Sequence, residues 1–296
     1  MPLSSFLSYL RLEKHYSPHT IKAYDRDITA FKAFIKKEFD VPDLVLVVYP
    51  MIRNWIVSLS DNGLSNRSIN RKISSLKSFY KFLVQTQQLE VTPLAKHRAL
   101  KTATKVQIPF SSVEVETVLD ELREVTDFES LRNLVLVELL YGTGMRRQEL
   151  INLNLSSIDF ENNTIKILGK RNKERIVPLL PTIQESIRQY VKEREHICEN
   201  QNHDALLVTK KGTKIYETLV YRIINHYFSR ASNKLKKSPH IIRHSFATHL
   251  LNQGADLNAV KELLGHASLA STQVYTHNSI ASLKDVYNKT HPRTKS

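Results

Sequence analysis

A chain of 296 residues with 41% hydrophobic side chains is long enough for one large or two ordinary domains and apolar enough to bury a core, which excludes a disordered chain. Its formal net charge of +14 points to a polyanionic partner. The single cysteine, Cys198, excludes an intramolecular disulfide, and the absence of any G-x-G-x-x-G or G-x-x-x-x-G-K-[ST] run argues against a nucleotide-cradling loop.

The charge is unevenly spread. Residues 1–108 hold 17 Lys and Arg against 8 Asp and Glu, a net of +9, while the rest of the chain nets +5. The opening MPLSSFLSYLRLEKHYS is amphipathic rather than leader-like, and no run of ~18 apolar residues exists. No membrane span is expected, and the cytoplasm, with the nucleoid, is the expected compartment.

The N-terminal part reads as helical. Ser17-Pro18 is a helix start, a capping hydroxyl followed by proline at the first helical position. Ile21, Tyr24, Ile28, Phe31, Phe34 and Ile35 then recur every three or four residues. A second helix is expected from Tyr49 to Ser60, ended by Asn62-Gly63. Ser65 caps a third, with Ile69, Ile73, Leu76, Phe79, Tyr80 and Leu83 on its buried side. Arg67, Arg71, Lys72, Lys77 and Lys81 give that helix a cationic surface suited to a phosphate backbone, although a plain solvated face has the same look. Periodicity is lost over PLAKHRALKTATKVQIP, so we expect an N-terminal domain over 1–95, a linker over 96–108 and a second domain over 109–296.

The second part mixes elements. Ser111-Ser112 begins a helix, and Leu131 to Leu140 is a strongly apolar one. Thr164–Leu168 and Arg175–Pro178 alternate like strands of a hairpin with a basic tip, and Ala205 to Thr209 is expected as a third strand turning at Lys211-Gly212. After Glu217 the pattern is helical, broken by Gly254, Gly265 and Ser271. The expected class is mainly α with a small antiparallel β-sheet.

Five short pieces carry chemistry: TGMRRQEL with Arg146, the hairpin GKRNKER with Lys170, HIIRH with His240 and Arg243 one helical turn apart, LLGH with His266, and VYTH with Tyr275. A phosphodiester transition state spreads charge over its equatorial oxygens, and fixed guanidiniums match that charge in shape and sign. A tyrosine hydroxyl can attack phosphorus when a base or cations assist it, and a lysine can protonate the leaving oxygen. Arginines that carry the positive charge leave such a site without need of a metal or cofactor, and none is expected. Each piece also has a plainer reading. Arg146 can pair with Glu149, Lys170 can be an ordinary hairpin residue, and Tyr275 can be a core tyrosine. His240 and His244 have metal-ligand spacing, but Ile241 stands where H-E-x-x-H needs glutamate.

Taken together these pieces resemble the tyrosine recombinases, the phage-integrase type, and within them the bacterial Xer subfamily. The resemblance lies in SPHTIKAYDRDITAFKAF, NRSINRKISSLKSFYKFL, YGTGMRRQELINL, LGKRNKERIVPL, the long run from SPHIIRHSFATHLL to VYTH, and HPRTK. It implies an N-terminal helical core-binding, SAM-like domain and a C-terminal catalytic domain that together clamp duplex DNA. It implies that Arg146 and Arg243 grip the scissile phosphate, that Lys170 is the general acid, and that His240 assists proton transfer. His266 would bond a phosphate oxygen and Tyr275 would be the nucleophile. Thr20 joins Arg67, Arg71, Lys72, Lys77, Arg171 and Lys173 as expected DNA contacts. Arg171 departs from the family pattern, which has glycine there. The implied assembly is a tetramer, of one chain or with a paralogous recombinase, exchanging strands through a Holliday junction and open to activation by a DNA translocase. Chromosome or plasmid dimer resolution is the expected role, with a mobile-element integrase, a type IB topoisomerase and a non-catalytic DNA binder as alternatives. The tail, with Leu283, Val286 and Tyr287 on one helical face, is expected to dock on a neighbouring protomer.

Overall fold

The computed structural model describes residues 2–103, 107–169, 173–199, 203–265, 287, 289 and 290, and the chain divides into two compact units, Met1–Lys105 and Val106–Ser296.

The first unit is built from α1 (Pro2–Leu12), α2 (Pro18–Phe39), α3 (Tyr49–Asp61) and α4 (Asn66–Gln85). Two predicted caps are in place: Ser17 Oγ accepts from Thr20 N, and Ser65 Oγ accepts from Ser68 N. The predicted stripes face inward and meet in one core, where Phe31 lies against Trp55 and Phe6 against Phe79. Gly63 takes φ +76° after α3, the left-handed geometry that an Asn-Gly stop allows. A charge also sits in this core. Asp27, fully buried on α2, accepts from Arg71 (2.5 and 3.1 Å), Lys72 (3.2 Å) and Ser75 (2.9 Å), all on α4.

The stretch expected as a linker is ordered in its first half. Asn70 Nδ2 donates to Leu100 O, Leu100 N donates back to Asn70 Oδ1, and Asn66 Nδ2 donates to Lys101 O. Side-chain amides on α4 hold this backbone, so it needs no apolar period of its own.

The second unit comprises α5 (Ser112–Arg123), α6 (Phe128–Thr143), α7 (Arg147–Ile151), β1 (Ile158–Asp159), β2 (Thr164–Leu168), β3 (Glu174–Pro178), α8 (Pro181–Cys198), α9 (Glu217–Ala231), α10 (Pro239–Asn252) and α11 (Leu257–Leu264). Ser111 and Glu114 form the reciprocal capping box at α5. Every residue of α6 from Leu131 to Thr143 is buried, so this helix is the centre of the core, packed by α5, α8 and α10. The sheet is antiparallel in the order β1-β2-β3, with Ile167 opposite Arg175. Among the described residues no helix is long and apolar enough to cross a membrane.

Two expectations are corrected. Ala205 to Thr209 is not a strand of the sheet; it makes only isolated bridges, Asn154 with Ala205 and Val208 with Lys214. The third strand is Ile158–Asp159, too short to show a period. Ala205 to Val208 is buried on all sides, and its backbone is satisfied without a ladder. Ala205 O accepts from the Arg194 guanidinium, Leu206 N donates to Leu153 O, and Val208 N donates to Tyr190 Oη. Tyr287, expected on a face that docks on a neighbour, is instead fully buried in its own unit's core and donates to Gly142 O at 2.6 Å. A Cβ on Gly142 would come within 2.5 Å of Ile183, so glycine here makes room for the close approach of α8 to α6. Leu283, Val286 and Ser271 lie outside the described residues.

Candidate active site

The turn after α6 builds the first part of the site. Gly144 caps that helix in the left-handed conformation, φ +58°, and its amide donates back to Leu140 O. Met145 is buried as an anchor, and Arg146 follows in extended geometry as the N-cap of α7. Glu149, at the third position of α7, turns back on that cap. Its Oε2 accepts from Arg146 N at 2.8 Å and its Oε1 from Arg146 Nη1 at 2.7 Å. The plain pairing of Arg146 with Glu149 therefore exists, yet the Arg146 side chain stays 42% exposed. One edge of the guanidinium is held and the rest is open to a ligand.

Arg243 lies one turn into α10, buried, with Nη1 donating to Gly144 O at 2.5 Å and Nη2 to Leu264 O at 2.8 Å. Both acceptors are at helix C-termini, where unpaired carbonyls carry partial negative charge. Burial, and then repulsion from Arg146, pulls the Arg243 pKa down to about 10, with Glu149 opposing the shift. The residue remains charged at neutral pH.

Arg175 completes the described cluster. It points inward from β3, sharing a face with Val177, and it is buried. Nη2 donates to Glu149 Oε2 at 2.7 Å and Nε to Leu263 O at 3.0 Å. Glu149 is thus shared by two arginines. Burial pushes its carboxyl pKa up, but the hydrogen bond and charge of Arg175, then Arg146, outweigh that and hold it below the usual carboxylate range. Three guanidiniums and one carboxylate leave two net positive charges, an arrangement able to hold a phosphodiester and to meet the extra negative charge of its transition state.

His240 sits in the first turn of α10, exposed, and His244 follows one turn on, also exposed. Lys170, Arg171, His266 and Tyr275 lie outside the described residues. The residues before two of them are described. Gly169 N donates to Lys173 O at 2.7 Å to close the hairpin, and Gly265 caps α11 at φ +65°. Lys173 is exposed.

The expected DNA contacts of the first unit fall into two kinds. Arg67 is exposed and Lys77, also exposed, donates to His97 O at 3.4 Å. Arg71 and Lys72 are tied to Asp27, with Lys72 only 15% exposed. Thr20 is spent partly on its own helix start, its Oγ1 lying 2.9 Å from Ser17 Oγ. Sequence reasoning missed Asp27 and Arg175 and named Glu149 only as an ion-pair partner. Two signals were present: a glutamate three residues after the first residue of a helix start, and an arginine on the inward face of an alternating strand.

Comparison with known proteins gives the site its family. Residues 100–281 match the phage integrase family and residues 3–87 its N-terminal SAM-like domain. The chain is 39% identical to tyrosine recombinase XerC of Oceanobacillus iheyensis, over 98% of this chain and 96% of that one. It is 41% identical to tyrosine recombinase XerC of Anoxybacillus flavithermus, over 98% and 97%. In fold it is similar to the XerH site-specific recombinase bound to a palindromic difH substrate, with a TM-score of 0.72 and 24% identity over 97% of this chain and 84% of that one. The family match spans more than half the chain and the curated relatives nearly all of it: the chain belongs to the phage integrase family and is a site-specific tyrosine recombinase, an enzyme that cuts and rejoins DNA.

Proposed function

We propose that the Tyr275 hydroxyl attacks the scissile phosphodiester while Arg146 and Arg243 hold its non-bridging oxygens. The observation that carries this reading is geometric: a buried Arg243 donates to Gly144 O, two residues before a half-exposed Arg146 that Glu149 holds from one edge. The phenolic oxygen–phosphorus bond forms as the phosphorus–O5′ bond breaks. The phenol proton passes to His240, Lys170 protonates the departing 5′-oxygen, and His266 bonds a phosphate oxygen. A 3′-phosphotyrosine results. The 5′-hydroxyl of a partner strand reverses the step, which conserves the bond energy, so exchange proceeds through a Holliday junction without ATP.

The partner is a double-stranded recombination site, and the exposed cations of the first unit, Arg67 and Lys77, together with Lys173 and Arg171 at the hairpin, contact its backbone. Thr20, Arg71 and Lys72 complete that surface. Four protomers act on two sites, either copies of this chain or this chain with a paralogue, in the cytoplasm at the nucleoid, where a DNA translocase switches them on. Similarity to recombinases named XerC supports resolution of chromosome or plasmid dimers at cell division over a mobile-element role.

The test is a nicked suicide site resolved on a denaturing gel. The native chain forms a covalent adduct and Tyr275→Phe forms none. An adduct that persists in Tyr275→Phe refutes the nucleophile. Lys170→Ala cleaves slowly and recovers when sulfur replaces the bridging 5′-oxygen; absence of recovery removes Lys170 as the acid.

A further inference from the structure

We infer that Arg175 is a positioning residue that sets the spacing between Gly169, the residue before Lys170, and the carboxylate that holds Arg146, an inference that rests on the proposed roles of Lys170 and Arg146. Its side chain reaches three segments at once. Nη2 donates to Glu149 Oε2, whose other oxygen holds Arg146 Nη1. Nε donates to Leu263 O, next to the Leu264 carbonyl that holds Arg243 and three residues before His266. The same guanidinium lies against two glycines that immediately precede Lys170 and His266. A Cβ at Gly169 would stand 3.7 Å from Arg175 Nη1 and 3.6 Å from Glu149 Oε1. A Cβ at Gly265 would stand 3.1 Å from Arg175 Cδ and 3.2 Å from Nη1.

Core packing alone does not account for this residue. It occupies an inward strand position opposite Ile167, where an aliphatic side chain would fill space without burying a charge. Buried ion pairs are often replaced by apolar groups at no cost in stability, so a buried arginine that bridges separate segments is better explained by the geometry it imposes. The lysine must reach the 5′-oxygen while Arg146 reaches a non-bridging oxygen of the same phosphate. The backbone that leads into the lysine therefore has to keep its place relative to Arg146, and Arg175 packs beside Gly169 while donating to Glu149.

The experiment uses the full chain with Arg175→Lys and Arg175→Met, each checked by thermal melting and DNA titration. Single-turnover cleavage is then followed on suicide sites with oxygen or sulfur at the bridging 5′ position. DNA affinity should be unchanged. Cleavage of the oxygen substrate should slow by about 10-fold in Arg175→Lys and about 100-fold in Arg175→Met, the range expected when a supporting contact is lost and reacting groups shift by ~1 Å. Sulfur leaves without needing a proton, so the deficit should shrink on that substrate. A folded variant that cleaves at the wild-type rate overturns the inference. So does a deficit equal with oxygen and sulfur, or one explained by weaker binding alone. If neither variant folds, Arg175 is a core residue and the inference also falls. A native chain that forms no Tyr275-dependent adduct refutes the functional reading instead, before Arg175 is tested.

Discussion

Glu149 holds Arg146 from behind: Oε1 accepts from the guanidinium at 2.7 Å, yet the arginine side chain keeps 42% of its surface in solvent. The other oxygen accepts from Arg146 N and from Arg175 Nη2. A carboxylate can accept at both positions, whereas an amide has one acceptor oxygen and must turn an NH2 group toward a donor. Glu149→Gln should therefore lower stability by about 3 kcal/mol and slow cleavage more than it weakens DNA binding. Because the folded Glu149 pKa lies below its ordinary value, the stabilisation is complete above that ordinary value and is lost as pH falls through the folded one. Urea unfolding from neutral pH into acid checks this: the native chain should lose stability at the acid end more steeply than Glu149→Gln.

The same geometry recurs in the first unit. Asp27 Oδ2 accepts from Arg71 Nη1 and Ser75 Oγ, and Oδ1 accepts from Arg71 Nη2 and Lys72 Nζ. Burial raises the Asp27 pKa, but its bonds to Arg71, Ser75 and Lys72 together bring it below the usual carboxylate value. Its contribution is present above the unfolded-state value and disappears as pH falls through the folded one. Asp27→Asn should cost about 2–3 kcal/mol, at or below the low end for a broken buried pair because Arg71 is half-exposed and keeps some hydration. Thermal melts at neutral pH measure this loss, and a variant within ~0.5 kcal/mol of the native chain would show that the network adds little.

These two carboxylates also mark where the sequence was legible and where it was not. Ser17, Ser65 and Ser111 announce their helices because capping is local: the hydroxyl and the amide it accepts from are three residues apart. The apolar stripes of α2 and α4 are equally local. Asp27 and Arg71 are 44 residues apart and Glu149 and Arg175 are 26 apart, so nothing near either acid names its partner. The segment Ala205 to Val208 misled for a related reason. A short apolar run is what a strand looks like, but here the backbone is satisfied by Arg194 and Tyr190 from α8. Of the site, Arg146, its pairing with Glu149, and Arg243 were readable from the sequence, while the second arginine on that carboxylate, Arg175, became visible only in space.

The division among cations of α4 has a consequence for DNA binding. Arg67 is exposed and has no ion-pair partner among the described residues, whereas Lys72 is largely buried on Asp27. Arg67→Ala should reduce the slope of log affinity against log salt by about 0.9, one phosphate contact, and leave the melting temperature unchanged. Lys72→Ala should lower the melting temperature as well, since it strips part of the Asp27 network. Titrations at several salt concentrations, paired with melts of both variants, separate the two roles. Equal melting temperatures for the two variants would refute the distinction.

Gly144 is the backbone position on which Arg146 and Arg243 depend. It sits at φ +58°, its carbonyl accepts from Arg243 Nη1, and Arg146 follows two residues on. A Cβ there would come within 2.4 Å of Phe246 Cδ1 and 2.8 Å of Leu264 Cδ2. Gly144→Ala therefore combines left-handed strain of about 1 kcal/mol with overpacking of about 1–3 kcal/mol. The expected loss is about 2–4 kcal/mol in urea unfolding. Relief of the clash has to move α10 or the turn, and either shift displaces the guanidinium that Gly144 O anchors. Single-turnover cleavage of pre-bound DNA should thus fall by about 10-fold or more at temperatures where the variant is fully folded. A variant that loses stability but cleaves bound DNA at the native rate would show that the turn supports the fold without setting the position of Arg243.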